Sequence, residues 1–343
     1  MKTSIAIAEH GYAPDFLTRM GIKHLLRSRL RQIKHHTQKR EEIISSMSNG
    51  PLAINTELAN DQHYEVPHEF FRLMLGRSLK YSCAYFDNGA PDLDAAEEEM
   101  ISITCDRAEL EDGMKVLELG CGWGSLSLAM AKRYQTSEIV AVSNSQEQRK
   151  FILAQASNFD LKNLKVLTCD MNRFSINEKF DRVVSIEMFE HMRNYRLLFH
   201  RISSWLEPEG KLFFHIFCHR NEPYFFTTGT DDDWMAKHFF TGGVMPSYDL
   251  PLAFTNDLTP ITRWQVNGTN YARTCAAWLA NLDTRSEEAI DILRSTEDSE
   301  SARIRFNRWR MFVMACQELF AFNHGIEWFV GHFLFAPTTE EKS

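Results

Sequence analysis

The chain has 343 residues, 44% of them hydrophobic and 12% aromatic, with 25 phenylalanines and a formal net charge of −8. That size suits one large domain, or one domain with a sizeable insertion, and the acidic balance argues against a general nucleic-acid binder. No uninterrupted apolar run is long enough to cross a bilayer, and the first residues lack the charged, apolar and small-residue order of a secretion signal, so a cytoplasmic location is expected. Seven scattered cysteines with no C-x-x-C pair read as reduced thiols. No metal-ligand spacing occurs, and no structural metal is expected.

Taken in order, residues 16–40 read as one amphipathic helix. Phe16, Met20, Leu25, Leu26, Leu30 and Ile33 form its apolar stripe, and Arg19, Lys23, Arg27, Arg29, Arg31, Lys34, Lys39 and Arg40 its basic face. The commoner fate of such a helix is to dock on a core with its charges solvated. Contact with an anionic membrane surface is the less favoured alternative. Residues 45–62 are polar and loop-like. Gln62-His63-Tyr64-Glu65-Val66-Pro67 then leads into a helix through Phe70, Phe71, Leu73 and Leu75, and residues 1–75 read as an N-terminal helical segment. The main domain is expected over 76–343, starting with the short aromatic loop Tyr81-Ser82-Cys83-Ala84-Tyr85-Phe86 and a helix over 93–110.

From residue 115 strands and helices alternate. Strands are expected near 115–119, 139–142, 164–168, 180–186 and 211–217, and helices near 125–133, 146–158 and 193–206. This is the pattern of an α/β doubly wound, mostly parallel sheet, whose ligands bind beyond the carboxyl ends of the strands. The first strand ends in Glu118-Leu119-Gly120-Cys121-Gly122-Trp123-Gly124, and a helix starts at Ser125. Strand, glycine turn and helix start in this order can cradle a polar ligand on backbone N–H groups, although tight turns use glycine too. A dinucleotide fold keeps its acid about twenty residues after the turn. Here the second strand ends in Ser143-Asn144-Ser145, and the acid is Glu118, at the end of the first.

Asp170-Met171 and Ile186-Glu187 fall at the same rim. If a helix begins after Glu187, then Glu187, Glu190 and His191 share one face and point together at the rim. His215 lies in an apolar strand, where a histidine is usually a core residue with satisfied nitrogens. Residues 219–260 are rich in turn residues and aromatics, including Pro223-Tyr224-Phe225-Phe226 and Asp231-Asp232-Asp233-Trp234. A strand returns at 261–266, helices follow near 274–282, 286–294 and 300–320, and a last pair of strands is expected to flank Asn323-His324-Gly325. Residues 219–320 read as a helical and aromatic cap over the rim.

From about residue 50 onward the chain resembles the cyclopropane fatty acid synthase superfamily, and within it the coclaurine N-methyltransferase branch. The shared pieces are Gln62 to Pro67, Lys80-Tyr81-Ser82-Cys83, Leu119 to Ser125, Ser185 to Met192, Asp231 to Trp234, Asn267-Gly268 and Glu318-Leu319-Phe320. Glu187 stands where the lipid branch typically has glycine, which favours the amine branch. The resemblance implies a class I, Rossmann-like methyltransferase with S-adenosyl-L-methionine as cofactor and S-adenosyl-L-homocysteine as product. Tyr81, Ser82, Gly120, Asn144, Gln148, Asp170, Met171 and Ile186 would line the cofactor site, together with Glu118 and Gly122 of the glycine loop. Glu187, Glu190 and His191 would handle a small, aromatic or alkaloid-like amine, with His191 taking its proton. Apart from the resemblance, Phe225, Phe226, Trp234 and Trp328 read either as aromatic walls that receive a cationic or aromatic ligand by cation–π contact or as ordinary cap packing, with Cys83, His215 and Tyr271 expected on the substrate side. The other reading is a lipid methyltransferase in which Cys83, Glu190, His215 and Tyr271 hold a bicarbonate base. A non-catalytic binding protein on the same fold is a third. A homodimer is compatible with all of them.

Overall fold

The computed structural model describes residues 2–34, 39–54, 66–227, 234–295 and 298–338. Gln62 to Glu65, Asp231 to Asp233 and residues 35–38 of the expected long helix lie outside the described residues. In chain order the elements are α1 (Lys2–Glu9), α2 (Asp15–Lys34), α3 (Lys39–Ser46), α4 (His68–Met74), α5 (Leu93–Arg107), β1 (Lys115–Leu119), α6 (Ser125–Arg133), β2 (Glu138–Ser143), α7 (Gln146–Asn158), β3 (Leu164–Thr168) and β4 (Phe180–Ile186). After these come α8 (Tyr195–Trp205), β5 (Leu206–His219), β6 (Tyr224–Phe225), α9 (Trp234–His238), β7 (Val244–Met245), β8 (Leu258–Val266), α10 (Gly268–Thr284), α11 (Ser286–Arg294), α12 (Ser299–Ala321) and β9 (Trp328–Pro337).

Seven strands form one sheet in the order β3-β2-β1-β4-β5-β9-β8, parallel from β3 to β5 and antiparallel on both sides of β9. The chain reverses direction of winding between β1 and β4, so a crevice opens beyond the carboxyl ends of those two strands. Alternation along β1 separates the faces: Val116 joins a core with Leu126, Met130 and Ile152, whereas Leu117 and Leu119 face Leu198, Phe199 and Ile202. A third core lies over the crevice and joins α4, α10, α11 and α12 through Phe70, Phe71, Trp278, Leu293 and Trp309.

Three local expectations change. The residues before Asn323 are the end of α12, not a strand; only β9 follows the turn. The range 219–320 contains β8, which is an edge strand of the main sheet. The stripe of α2 is rotated: Ile22, Leu26 and Leu30 pack on the helical core, while Phe16 and Met20 are each 63% exposed. Ion pairs flank that apolar contact: Arg19 and Lys23 both reach Glu318 of α12 (2.7 and 3.2 Å), and Asp15 meets Arg310 at 2.9 Å.

Candidate active site

Beyond β1 the glycine loop is held in a conformation that larger residues resist. Gly120 has φ +77°, and a Cβ there would lie 2.7 Å from Met188. Gly122 has φ +52° with nothing within 4 Å of where its Cβ would be. The loop is tied to its neighbours, because Gly120 and Cys121 both donate N–H to Val142 O (3.0 Å) and Ser185 Oγ donates to Leu119 O (2.9 Å). Around it lies a cavity of about 730 Å³, bounded on its far side by α1 and α2.

Two buried polar groups at this end ask for a ligand. Gln148 is 2% exposed; its Oε1 accepts from Ser143 Oγ at 2.6 Å, while its Nε2 has no partner among the described residues. Glu118 is 2% exposed, takes a hydrogen bond from Ser127 Oγ, and burial pushes its carboxyl up to about 8. A donor-starved buried acid and an unpartnered amide N–H fit a ligand that brings both cationic or N–H groups and hydroxyl acceptors.

Beyond β4 the chain does not enter a regular helix. Glu187 takes φ +49°, and Phe189–His191 form a single 3-10 turn. The turn is locked by an aromatic stack, Phe189 on Phe214 at 4.6 Å and Phe214 on Phe333 at 4.8 Å, and by Tyr195 Oη donating to Phe189 O. The consequence is that Glu187, Glu190 and His191 do not share a face. Glu187 and His191 line the cavity, and Glu190 does not. Glu190 is 0% exposed; its Oε1 accepts from Phe217 N at 2.7 Å and its Oε2 has no partner among the described residues. Burial and the neighbouring Glu187 push Glu190 well above the usual carboxylate range. Burial beneath the site therefore favours the neutral form of this acid.

Glu187 is treated differently. Its Oε1 accepts from Cys83 N (3.1 Å) and from His215 Nε2 (3.0 Å), and its Oε2 accepts from Tyr271 Oη (2.6 Å). Burial raises its pKa, while Lys80, Tyr271 and the Cys83 N–H oppose that rise. With three donors and a cation beside it, Glu187 is the member of the pair that carries the charge. Lys80 is 3% exposed and fixed by bonds to Ser82 Oγ and Cys83 O. The Cys83 thiol is pushed well up by burial and by Glu187, so it stays protonated, donating to Ala84 O. His191 is held down to about 4, mainly by burial, and is neutral at physiological pH.

The donors reach Glu187 because tertiary bonds place them. Asn267 caps α10 by accepting from Thr269 N, and a Cβ on Gly268 would lie 2.2 Å from Trp328 O, so α10 begins tight against β9 and delivers Tyr271. Asn270 accepts from Phe86 N (2.7 Å) and Thr274 from Ala84 N (3.1 Å), which stitches the 80–87 loop to the same helix. Glu97 of α5 accepts from Gly76 N and Ser78 N and holds the start of that loop.

Residues 54–326 match the mycolic acid cyclopropane synthetase family. The chain belongs to that family. It is an S-adenosylmethionine-dependent methyltransferase with the class I fold. Among relatives, (S)-coclaurine N-methyltransferase of Thalictrum flavum subsp. glaucum is 36% identical over 288 residues, 83% of this chain and 80% of that protein. A crystal structure of coclaurine N-methyltransferase bound to N-methylheliamine and SAH covers 97% of this chain and 99% of its own, with TM-score 0.93 and 32% identity. The cyclopropane synthase MmaA2 from Mycobacterium tuberculosis gives TM-score 0.72 at 26% identity, over 84% of this chain and 100% of that one.

Within this methyltransferase all ten residues expected around the cofactor line the one cavity: Tyr81, Ser82, Glu118, Gly120, Gly122, Asn144, Gln148, Asp170, Met171 and Ile186. At the other end Trp234, Phe226 and Tyr271 line it. Four expected acceptor residues do not. Cys83 and His215 lie behind Glu187 as its donors. Phe225 is turned away under the Arg193 guanidinium, 3.5 Å from its ring centre. Trp328 is fully buried, packs on His219 and Phe322, and donates to Tyr224 Oη. Sequence reading missed Lys80 and Glu97, and the wall residues Tyr224, Phe240 and Phe312. The signal for Lys80 is a lone charge directly before the aromatic loop Tyr81 to Phe86; Glu97 carries no local signal.

Proposed function

We propose that this methyltransferase transfers a methyl group to the nitrogen of a small, largely apolar and aromatic amine. The observation that carries the reading is Glu187: one anionic carboxylate at the floor of an aromatic cavity that is continuous with the glycine loop. The names of the relatives support it, and so does the amine bound in the related crystal structure.

The residues around the glycine loop would hold the cofactor, with Gln148 Nε2 and Glu118 as its unfilled polar contacts. Bound adenosylmethionine supplies a methyl group on a sulfonium. The acceptor nitrogen must offer a lone pair at near-attack distance, so the N–C bond forms as the S–C bond breaks and the sulfur keeps that electron pair. An alkylamine has an unperturbed pKa of about 10.4 and arrives protonated. Glu187 attracts that cation, and the rings of Phe226 and Trp234 favour it further. Neutral His191 on the cavity wall would relay the proton to water rather than keep it, because burial holds its pKa down to about 4. Glu190 supports the turn and adds no second charge.

The lipid reading needs a bicarbonate among Cys83, Glu190, His215 and Tyr271. In this chain Cys83 N, His215 and Tyr271 already bind the Glu187 carboxylate, which occupies the place such an anion would take. The test is incubation with labelled adenosylmethionine and a mixed panel of secondary amines, tertiary amines and unsaturated phospholipid vesicles. Label on an amine nitrogen is expected. Label in the phospholipid alone would overturn the reading.

A further inference from the structure

A line of hydrogen bonds runs from the active-site carboxylate through the sheet. His215 and His332 face each other across β5 and β9, both 0% exposed, and His332 in turn is paired with Trp264 of β8. His215 Nε2 meets Glu187 Oε1 at 3.0 Å, His215 Nδ1 meets His332 Nε2 at 3.0 Å, and His332 Nδ1 meets Arg107 Nη1 at 2.9 Å. The guanidinium of Arg107 lies over the Trp264 ring, 5.1 Å from its centre.

The direction of every bond follows from the last one. Arginine donates and has no acceptor. His332 Nδ1 must therefore accept, which leaves its proton on Nε2. His215 Nδ1 must accept that proton's bond, which leaves its own proton on Nε2, aimed at Glu187. Neither ring can be protonated without placing two hydrogens against each other. We propose that Arg107 is a positioning residue for methyl transfer: it fixes both histidines as neutral Nε2–H forms and makes His215 a standing hydrogen-bond donor to Glu187. The proposal rests on the reading of Glu187 as the carboxylate that meets the amine. It also gives the site one exit for protons. A proton taken from the amine cannot leave through the sheet, because His215 Nε2 is already occupied and Arg107 cannot accept, so it leaves by the cavity.

The charged and titratable groups around the pair agree. Lys80, Arg107 and Glu187 face it, with Tyr271 and Cys83 on the far side of Glu187 and Tyr85 and Tyr248 near the guanidinium. Burial, then Lys80 and Arg107, hold His215 well below its usual range. Burial, then His215, Arg107 and Lys80, do the same for His332. Without the Arg107 charge the pair takes up a proton at higher pH. An imidazolium at His215 then competes with the amine for Glu187, so activity is lost sooner as pH falls.

The experiment is nitrogen-15 spectroscopy of histidine-labelled protein, with kcat against pH for an accepted amine. Wild type should show His215 and His332 neutral and protonated at Nε2 alone. R107L should show mixed tautomers, kcat lower by about tenfold, an acidic limb moved up by about one pH unit, and KM for the methyl donor within about twofold. R107K, still a donor without an acceptor, should restore the single tautomer and most of kcat. H332Q can accept from Arg107 and donate to His215, so it should keep the limb in place, whereas H332F should move it. A proton on Nδ1 of either histidine in wild type would overturn the proposal, as would an R107L or H332F enzyme with an unmoved limb. The wild-type spectrum needs neither turnover nor a variant, so its failure is separate from a failure of the amine reading.

Discussion

The two ends of the cavity are built in opposite ways. The donor end has a contiguous centre: Glu118 to Ser125 supply the acid, the glycines and the helix start in eight successive residues, with Asn144, Gln148, Asp170 and Met171 added from the neighbouring strand ends. The acceptor end is assembled from the 80–87 loop, the turn after β4, the middle of β5 and the start of α10. A contiguous site fixes its chemistry through backbone conformation. An assembled one fixes it through tertiary contacts: both acids are buried, and the three donors and Lys80 gathered at Glu187 favour charge there rather than on Glu190. Two acids three residues apart thus have different work, and their spacing alone does not reveal which is which.

The predictions probe that contrast. The largest effect is expected from G122W, which fills the cradle at a position open only to glycine: donor binding should vanish in calorimetry, and retained binding would remove the loop from the donor site. Next is E187Q, which keeps the volume and loses the charge. It should lower kcat by roughly 10²- to 10⁴-fold with donor affinity within a few fold. H191A should fall in the lower part of the same range, and wild-type turnover in it would exclude His191 as the relay. E190Q is the discriminating case, since glutamine can still accept from Phe217 N. We expect a loss of less than about tenfold in kcat, because no charge is removed. A loss as large as that of E187Q would mean that both acids act on the amine.

The smallest effect concerns stability. Glu118 has a folded pKa of about 8 against 4.5 when free. Since the folded value is the higher one, the protein without ligand is most stable below pH 4.5 in this respect and loses that contribution as pH rises to about 8. E118Q has no such loss, so the melting-temperature difference should move in favour of the variant across that window. A flat difference would show that Glu118 is not a buried neutral acid.

Much of this was legible beforehand because it is local. The β-strands from 115 to 186 announce themselves as short apolar runs, the glycine loop has its order of strand, turn and helix, and Glu187 stands directly after a strand. What was not legible depends on long-range placement. The common face expected for Glu187, Glu190 and His191 needs a regular helix, and the stack of Phe189 on Phe214 and Phe333 forces a 3-10 turn instead. Phe225 and Trp328 look like pocket walls because aromatics dominate both pockets and cores, and only packing separates the two. Phe16 and Met20 fit an apolar stripe, yet the helix docks through Ile22, Leu26 and Leu30, with ion pairs to Glu318 and Arg310 about three hundred positions away. His332 and Arg107 meet His215 only through strand pairing and the end of α5.

The most direct measurement is a crystal structure of the protein with S-adenosylhomocysteine and an amine that it methylates. The expected result puts the sulfur at the glycine loop and the amine nitrogen within hydrogen-bond distance of Glu187, on the side that His191 faces. An amine held away from Glu187, or a separate anion bound by Cys83 N, His215 and Tyr271 in its place, would contradict the account.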